Sequence, residues 1–476
     1  MSLVEEITLT ADVVHLLTKD QAWHYRILPK SHNQNDFKLY CEDVAQSDSL
    51  LAELEILFGC NITLQPIPAD KVARLLSKYY IKDNAAQGSV QLQTNNTDDF
   101  LISLIQEAKN LKSSDIHIER YENKCRVRIR IDGLMVERYL LKPEEYPALI
   151  NKVKIMANLD IAEKRLPQDG RINFKHHDNQ FDIRASILPT LHGEKVVLRL
   201  LNNDATDIDL NSLGFSNLDL DNYLQGVKKP NGILLISGPT GSGKTTTLYA
   251  TLKLLNKETR NVLTIEDPIE YTLEGVNQVQ LKESIGLNFA AALRTFLRQD
   301  PDVIMVGEIR DSETANMAIR AALTGHLVLS TIHTNSAWGT VSRLIDMGIP
   351  PFLVANTLNT TVAQRLVRLL CPHCKAKADF NESLYPRQFK PFKVVNEHYI
   401  AHGCDVCYYT GYKGRKAVYE VIPIDQDLAF EIKNGNMYIQ NLLKERGIQP
   451  IAENAFNLFS DGLTSIDEIY PLLFNY

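Results

Sequence analysis

Residues 233–249 read Ile-Leu-Leu-Ile-Ser-Gly-Pro-Thr-Gly-Ser-Gly-Lys-Thr-Thr-Thr-Leu-Tyr. An apolar strand, a glycine-rich loop and the start of a helix follow one another here, which is the context that a phosphate-binding loop requires. The stretch therefore predicts an α/β domain with a binding site for a nucleoside triphosphate.

The residue types in this loop suit the binding of an anion. The glycines let backbone N–H groups converge, since a Cβ atom would block the tight turn, and the helix N-terminus adds partial positive charge. We expect Lys244 to reach the β- and γ-phosphates and the Thr245 hydroxyl to hold Mg²⁺. The alternative is an ordinary glycine-rich turn between a strand and a helix. The residues expected to contact the nucleotide are Gly238, Pro239, Thr240, Gly241, Ser242, Gly243, Lys244, Thr245 and Thr246.

The composition is that of a globular protein with about three domains. The chain has 476 residues, of which 44% are hydrophobic and 23% charged. No apolar stretch approaches the ~18 residues that a membrane span needs, and the N-terminus lacks the pattern of a secretory signal, so we expect a cytoplasmic protein. The net charge of −7 disfavours a nucleic-acid-coating role, which usually requires a basic surface.

Two polar stretches, residues 81–97 and 202–212, are predicted linkers. Between them, a helix is predicted from about 98 to 111, and arginines alternate with apolar residues over 126–131, as in a strand with one basic and one apolar face. The expected segments are an N-terminal region at 1–80, a smaller α+β domain at 98–201, a nucleotide-binding core at 213–370, a cysteine-containing element at 371–409 and a helical C-terminal subdomain at 410–476.

The predicted core contains short buried-strand candidates that alternate with helices, which favours a mainly parallel sheet. Two of these strands end in carboxylates: residues 302–308 read Asp-Val-Ile-Met-Val-Gly-Glu, and residues 264–268 read Thr-Ile-Glu-Asp-Pro. Such sheets bind ligands at their carboxyl edge. We expect Glu308 to hold Mg²⁺ through water or to activate the attacking water, and Glu266 to be the general base or a partner of Glu308. The alternatives are a functionless strand end and a solvated turn.

His333 and several arginines are candidates for sensing the phosphates. His333 follows the predicted strand at 327–329 and would lie at the same edge of the sheet. Phosphoryl transfer needs positive charge on the γ-phosphate oxygens, often supplied by another domain or subunit. Arg294 and Arg298 stand at i,i+4 spacing on a predicted helix, and Arg171 and Arg184 lie in the smaller domain. The alternative to phosphate sensing is a structural role for His333 and an ordinary surface charge for each arginine.

Four of the seven cysteines form two close pairs, Cys371/Cys374 and Cys404/Cys407. Two such turns can supply four thiolates to a tetrahedral Zn²⁺, and in a reducing compartment this arrangement favours metal over disulfides. A site with four protein ligands is structural, because it leaves no open position for catalysis. His373 or His402 could replace one thiol, and free thiols are the alternative.

Taken together, these motifs resemble the GspE/PulE-like ATPases of type II secretion and type IV pilus extension. The resemblance covers about residues 98–476 and is carried by the loop at 238–245 with Ser114-Asp-Ile-His-Ile-Glu119, Arg165-Leu-Pro-Gln-Asp-Gly-Arg171, Leu188-Pro-Thr-Leu-His-Gly-Glu194 and Leu297-Arg-Gln-Asp-Pro301 through Gly307-Glu-Ile-Arg-Asp311. It implies a RecA-like P-loop domain beside a smaller α+β, PAS-like domain, with a zinc element. Residues 1–80 bear no clear resemblance to the family's usual N-terminal modules, which leaves secretion and pilus assembly both open.

The resemblance also implies roles for individual residues. Glu266 and Asp267 would belong to the family's aspartate box, Glu308 to its Walker B motif, and His326 and His333 to its histidine box. It suggests that Arg171, Arg184, Arg294 and Arg298 engage nucleotide phosphates as the ring closes.

At the level of the whole protein, the resemblance implies a homohexameric motor that hydrolyses MgATP to assemble a pilin-like filament. Its partners would be an inner-membrane platform protein and a membrane-anchored adaptor, with residues 1–80 binding a partner and the chain peripheral at the inner membrane. Two rival functions are a nucleic-acid-translocating ring and a nucleotide-gated scaffold without turnover.

Overall fold

The structure is a computed structural model that describes residues 16–17, 19–33, 36–42, 48–69, 71–72, 75–76, 80, 97–176, 179–201, 209–436 and 438–474. Residues 81–96 of the first predicted linker and 202–208 of the second lie outside the described residues. Among the described helices, none is both long and apolar enough to cross a membrane.

A small α/β unit lies at the N-terminal end of the described chain. Its strand β2 pairs antiparallel with β1 and parallel with β3, because helix α2, between β2 and β3, returns the chain to the end of the sheet where β2 began. Leu28, Leu39 and Leu54 are buried in its core. The elements are α1 (Lys19–His24), β1 (Leu28–Asn33), β2 (Asp36–Glu42), α2 (Asp48–Phe58) and β3 (Asn61–Ile67).

A six-stranded antiparallel sheet with two helices follows, in the strand order β6-β5-β4-β9-β8-β7. The prediction of a two-faced strand at 126–131 is confirmed by β5: Val127 and Ile129 are buried in the core, while Arg126 and Arg128 form ion pairs with Glu119. The elements are α3 (Thr97–Asn110), β4 (Asp115–Arg120), β5 (Cys125–Ile131), β6 (Leu134–Leu141), α4 (Tyr146–Met156), β7 (Gln168–His176), β8 (Asn179–Thr190) and β9 (Gly193–Leu201).

The nucleotide-binding core contains a seven-stranded sheet in the order β12-β11-β13-β14-β10-β15-β18. All pairings are parallel except that of β15 with β18, and apolar clusters cover both faces, as expected for a crossover-connected sheet. Its elements are α5 (Asn217–Val227), β10 (Gly232–Ser237), α6 (Lys244–Leu255), β11 (Val262–Glu266), β12 (Asn277–Gln280), α7 (Phe289–Phe296), β13 (Val303–Val306), α8 (Ser312–Leu323), β14 (Leu327–Ile332), α9 (Gly339–Asp346), α10 (Pro351–Thr357), β15 (Leu358–Leu370) and β18 (Tyr412–Pro423).

The segment expected to be helical from 410 onward instead begins with strand β18. Val418, Tyr419, Val421 and Ile422 are all buried, and β-branched and aromatic side chains suit a strand that is covered on both faces. The helical prediction is confirmed only beyond this strand. The helices there are α11 (Gln426–Lys433), α12 (Gln440–Glu445), α13 (Ile451–Ser460) and α14 (Ile466–Phe474).

The cysteine-containing element is a small hairpin that packs on the C-terminal helices. Strands β16 (Ala376–Asp379) and β17 (Glu397–Ile400) pair antiparallel. Phe380 packs edge-on against Phe459, with 5.5 Å between the ring centroids. Aromatic contacts therefore hold the element against α13, in addition to its covalent connections to β15 and β18.

Candidate functional site

The loop after β10 has the backbone shape that its glycines predict. Gly238, Gly241 and Gly243 have φ angles of +153°, +81° and +87°, and α6 begins at Lys244, directly after Gly243. A Cβ atom on Gly238 would lie 2.5 Å from the Gln364 carbonyl oxygen and 2.6 Å from Ser242 Oγ. Only glycine fits this position, so the loop is closed tightly against strand β15.

Gln364 and its neighbour Arg365 form a wall of the loop that sequence reasoning missed. Thr247, in the first turn of α6, donates a hydrogen bond to Gln364 Oε1 at 3.0 Å. Arg365 donates to the carbonyl oxygens of Gln364 and Asn335, both at 3.0 Å. The signal available in the sequence is that this polar pair stands between the apolar pairs Val362-Ala363 and Leu366-Val367 of β15.

Lys244 is held by the loop itself. Its Nζ donates to the carbonyl oxygens of Gly238 and Pro239, at 2.8 and 3.0 Å. Burial lowers the pKa of the Lys244 ammonium, while the charge of Glu308 raises it and that of Arg365 lowers it. The lysine therefore lies in the electrostatic field of the carboxylate at the end of β13.

The loop residues fit a phosphate group and its metal ion. Ser242 Oγ is buried and has no hydrogen-bond partner in the described part of the chain, and a buried hydroxyl without a partner is costly. Thr245 is exposed at the N-terminus of α6, where the helix dipole favours an anion. These features suit a triphosphate with Mg²⁺ and need no rearrangement of the sheet.

Glu308 and His333 lie together at the carboxyl edge of the sheet. Glu308 forms an ion pair with Arg310, and its Oε2 lies 3.4 Å from Nε2 of His333. Arg310 also lies 3.8 Å from Asp267. Arg310 was missed as a site residue, although it stands two positions after Glu308 in the quoted motif. Strand β14, which leads to His333, separates β10 from β13, so the histidine lies between the loop and Glu308.

Glu266 has a different environment from Glu308. It is 3% exposed, and its carboxylate accepts hydrogen bonds from Thr264 at 2.7 Å, from Gln278 at 3.0 Å and from Tyr249. Tyr249 belongs to α6, so Glu266 lies on the face of the sheet that the loop helix covers. Its donors are neutral side chains, whereas the partners of Glu308 are an arginine and a histidine.

The two arginines of the smaller domain stand opposite each other on β7 and β8. Arg171 pairs with Asp182 at 2.6 Å, within its own sheet. Arg184 reaches the nucleotide-binding core, where it donates to the Ile269 carbonyl oxygen at 2.7 Å and lies 3.7 Å from Glu270. Arg184 therefore contacts the segment that follows Glu266, three residues beyond that carboxylate.

One expectation about the arginines needs correction. Helix α7 ends at Phe296, so Arg298 lies beyond it and donates to the Arg294 carbonyl oxygen at 2.9 Å, while Arg294 pairs with Glu313. Proline disfavours helix in the residue before it, and Asp300, before Pro301, has a φ angle of +50°. His326 precedes β14, about 20 Å of strand away from His333, and its Nδ1 lies 2.8 Å from the Ala321 carbonyl oxygen. The two histidines of the expected box are therefore at opposite edges.

The four paired cysteines form a compact thiol cluster. Their sulfur atoms all lie within 4.8 Å of one another, and the Cys371–Cys404, Cys374–Cys407 and Cys404–Cys407 distances are 3.9, 3.7 and 3.8 Å. Four sulfurs at about 2.3 Å from a zinc ion are about 3.8 Å apart in a tetrahedron. The spacing of the donors thus fits Zn²⁺ bound by four cysteines.

Backbone N–H groups complete this centre. Those of Gly403 and Gly411 point to the sulfurs of Cys374 and Cys407, each at 3.3 Å. Such hydrogen bonds stabilise thiolates and fix the orientation of metal ligands. A zinc ion bound here would join the two cysteine turns and stabilise the hairpin that packs on α13.

We expect Cys374→Ser to lower the zinc content from about one ion per chain to nearly none, because a structural site needs all four ligands. The melting temperature should fall by at least about 5 °C, the shift that about 2 kcal/mol causes in a domain of this size. Atomic absorption and calorimetry measure the two effects. Cys60→Ser, at a half-buried cysteine of the N-terminal unit, is the matched control. Unchanged zinc content in Cys374→Ser would contradict the assignment.

Comparison with known proteins places this geometry in a family. Residues 92–471 match the family described as type II/IV secretion system protein. The chain is 39% identical to the type IV pilus assembly ATPase PilB of Myxococcus xanthus, over 98% of this chain and 87% of that protein. It is 42% identical to the type II secretion system protein E of Pseudomonas aeruginosa, over 88% of this chain and 89% of that protein.

A solved structure is similar as well. The chain resembles the pilus retraction motor PilT, crystallised with bound ADP, with a TM-score of 0.54 and 26% identity, over 78% of this chain and 96% of that protein. The fold is therefore a RecA-like α/β core beside a smaller α+β domain, which confirms the fold class predicted from the sequence.

Proposed function

We propose that this chain, which belongs to the type II/IV secretion system protein family, is an ATPase motor for type II protein secretion or type IV pilus extension. The relatives that support this proposal are named as a pilus assembly ATPase and a secretion protein. The observation that carries it is the closed loop at 238–245, with Lys244 in the field of the Glu308 carboxylate.

Residues 238–246 bind the triphosphate in this proposal. Lys244 exchanges its two carbonyl partners for phosphate oxygens, and the Ser242 hydroxyl gains the hydrogen bond that it lacks. The Thr245 hydroxyl would hold Mg²⁺, and the ion would supply positive charge that offsets the charge developing on the phosphates. Gln364 and Arg365 keep the loop in place from the neighbouring strand.

Glu308 is the residue that we propose to activate or orient the attacking water, with Glu266, at the end of the neighbouring strand β11, as its partner in that step. Glu308 is the carboxylate that faces Lys244, and it is exposed enough, at 17% of its side chain, to meet a water molecule. His333, 3.4 Å from Glu308, is placed to sense the γ-phosphate. Arg310 must release Glu308 before the carboxylate can accept a proton from water, since an ion-paired oxygen is a poor base.

The remaining arginines supply charge from outside the loop. We propose that Arg171 and Arg184 leave Asp182 and Glu270 for the nucleotide when the smaller domain moves, and that Arg294 and Arg298 also contact phosphates. Positive charge on the γ-phosphate oxygens stabilises the transition state. We propose that the chain forms a homohexamer and that this movement is coupled to an inner-membrane platform protein. A membrane-anchored adaptor would recruit the N-terminal region. Zinc would have a structural role at the four cysteines.

Phosphate release by the purified full-length chain tests the proposal. We expect Mg²⁺-dependent hydrolysis of ATP, because the loop and the Glu308 carboxylate are both intact, and no stimulation by single-stranded or duplex DNA, because the net charge is −7. Stimulation by DNA that weakens with salt would support a nucleic-acid translocase instead. Tight ATP binding without phosphate release would support a scaffold that is gated by nucleotide.

A further inference from the structure

The carboxylate of Glu266 is enclosed by hydrogen-bond donors from three elements. Thr264, on its own strand, and Gln278, on β12, both donate to Oε1, at 2.7 and 3.0 Å. Tyr249, on helix α6, donates to Oε2. Gln278 is fixed in turn, because it donates to the Tyr271 carbonyl oxygen at 3.1 Å and accepts the Leu273 N–H at 2.7 Å. These contacts define one orientation of the carboxylate.

Tyr249 links this carboxylate to the nucleotide loop. Its side chain is 1% exposed, and its hydroxyl also accepts the Glu270 N–H at 3.3 Å. Burial, together with the charge of Glu266, raises the pKa of the Tyr249 phenol far above its ordinary value. The phenol therefore stays protonated and remains a donor at neutral pH. It stands five residues after Lys244 on the same helix, so the loop and the carboxylate share one rigid support.

We infer that Tyr249, assisted by Gln278, is a positioning residue that holds Glu266 in a single orientation for ATP hydrolysis. The inference rests on the proposed function. The last torsion angle of a glutamate side chain varies broadly, so a carboxylate that loses one of its three donors samples a wider range of orientations. Since reacting groups must be aligned closely, such rotation lowers the rate of the chemical step. The Tyr249 hydroxyl bonds to Glu266 and to the Glu270 N–H rather than to the phosphate-binding loop, so the loss should fall on kcat.

The test is Tyr249→Phe, assayed for phosphate release and ATP binding. We expect kcat to fall about tenfold, which corresponds to about 1.4 kcal/mol, while KM and the Kd for ATP stay within about twofold because binding is not affected. Tyr223→Phe is the matched control. Tyr223 is also fully buried, and its hydroxyl bonds to Thr251 of the same helix at 2.6 Å, away from Glu266. This control should lose comparable thermal stability and keep its kcat.

A second background tests whether Tyr249 acts through Glu266. In a Glu266→Gln protein, adding Tyr249→Phe should cause little further loss, since residues that act as a unit are not additive. If Tyr249→Phe fails to fold, Gln278→Ala at a partly exposed position should still lower kcat about threefold with KM unchanged.

The inference is overturned if kcat is unchanged in both variants, if Tyr223→Phe loses as much kcat as Tyr249→Phe, or if the losses at Tyr249 and Glu266 are additive. These results presuppose an active wild type and leave the proposed function standing. A wild-type protein that binds ATP and releases no phosphate would overturn the proposed function, and this inference with it.

Discussion

Replacing Lys244 with alanine is expected to abolish measurable ATP hydrolysis and to weaken ATP binding about 100-fold, or about 2.8 kcal/mol. The Lys244 ammonium is half-buried and held at 2.8 and 3.0 Å by the carbonyl oxygens of the loop, so it is already positioned for an anion. A hydrogen bond to a charged group contributes about 1.5–3 kcal/mol, and the loss in the transition state should be larger still, because charge accumulates on the phosphate oxygens.

Calorimetric titration with ATP and a phosphate-release assay measure the two losses. Lys253→Ala is the matched control, because Lys253 is an exposed lysine in the last turn of the same helix. The fold should survive Lys244→Ala, with a melting temperature within about 2 °C of wild type, since the loop carbonyls freed at the surface can bind water instead. Normal phosphate release by Lys244→Ala would disprove the assignment of the loop.

The strands of the core could be predicted because each is a short apolar run bounded by polar or glycine residues. Four of these strands occur at the expected positions, namely β10, β11, β13 and β14. Their carboxyl ends meet at one edge of the sheet. That rule alone placed Glu308 and His333 together. Strand β18 was missed because its assignment depends on pairing with β15, a contact between distant parts of the chain.

The contacts that support the site could not be read from local patterns. Tyr249, Gln278 and Gln364 reach their partners across 17, 12 and 117 positions of sequence. Sequence reasoning gave Glu266 and Glu308 similar roles because both end a strand. The structure distinguishes the two carboxylates by their partners. Glu266 is enclosed by neutral donors, whereas Glu308 faces Arg310 and His333. The position of Arg298 also depended on where its helix ends, which sequence patterns locate poorly.

We expect Glu308→Gln to lower kcat for ATP hydrolysis by a factor of about 10²–10⁴, the contribution of a general base or acid, while ATP still binds. Glutamine keeps the shape of the side chain and loses the charge that attracts Arg310 and the proton of the attacking water. Removing the carboxylate also removes the charge that raises the pKa of Lys244. Lys244 stays protonated in contact with a triphosphate, so ATP affinity should change less than about threefold.

Single-turnover hydrolysis and ATP binding, measured on the same preparation, separate the two effects. The matched control is Glu397→Gln, which makes the same chemical change at an exposed carboxylate of the hairpin, paired with Lys377. If Glu308→Gln hydrolyses ATP within about threefold of wild type, the activating carboxylate must be another one. Glu266 would then be the candidate, and its neutral enclosure would have to open before it could accept a proton. Retained binding with lost hydrolysis would instead assign the chemical step to Glu308, because the loop and Lys244 are unchanged in that variant.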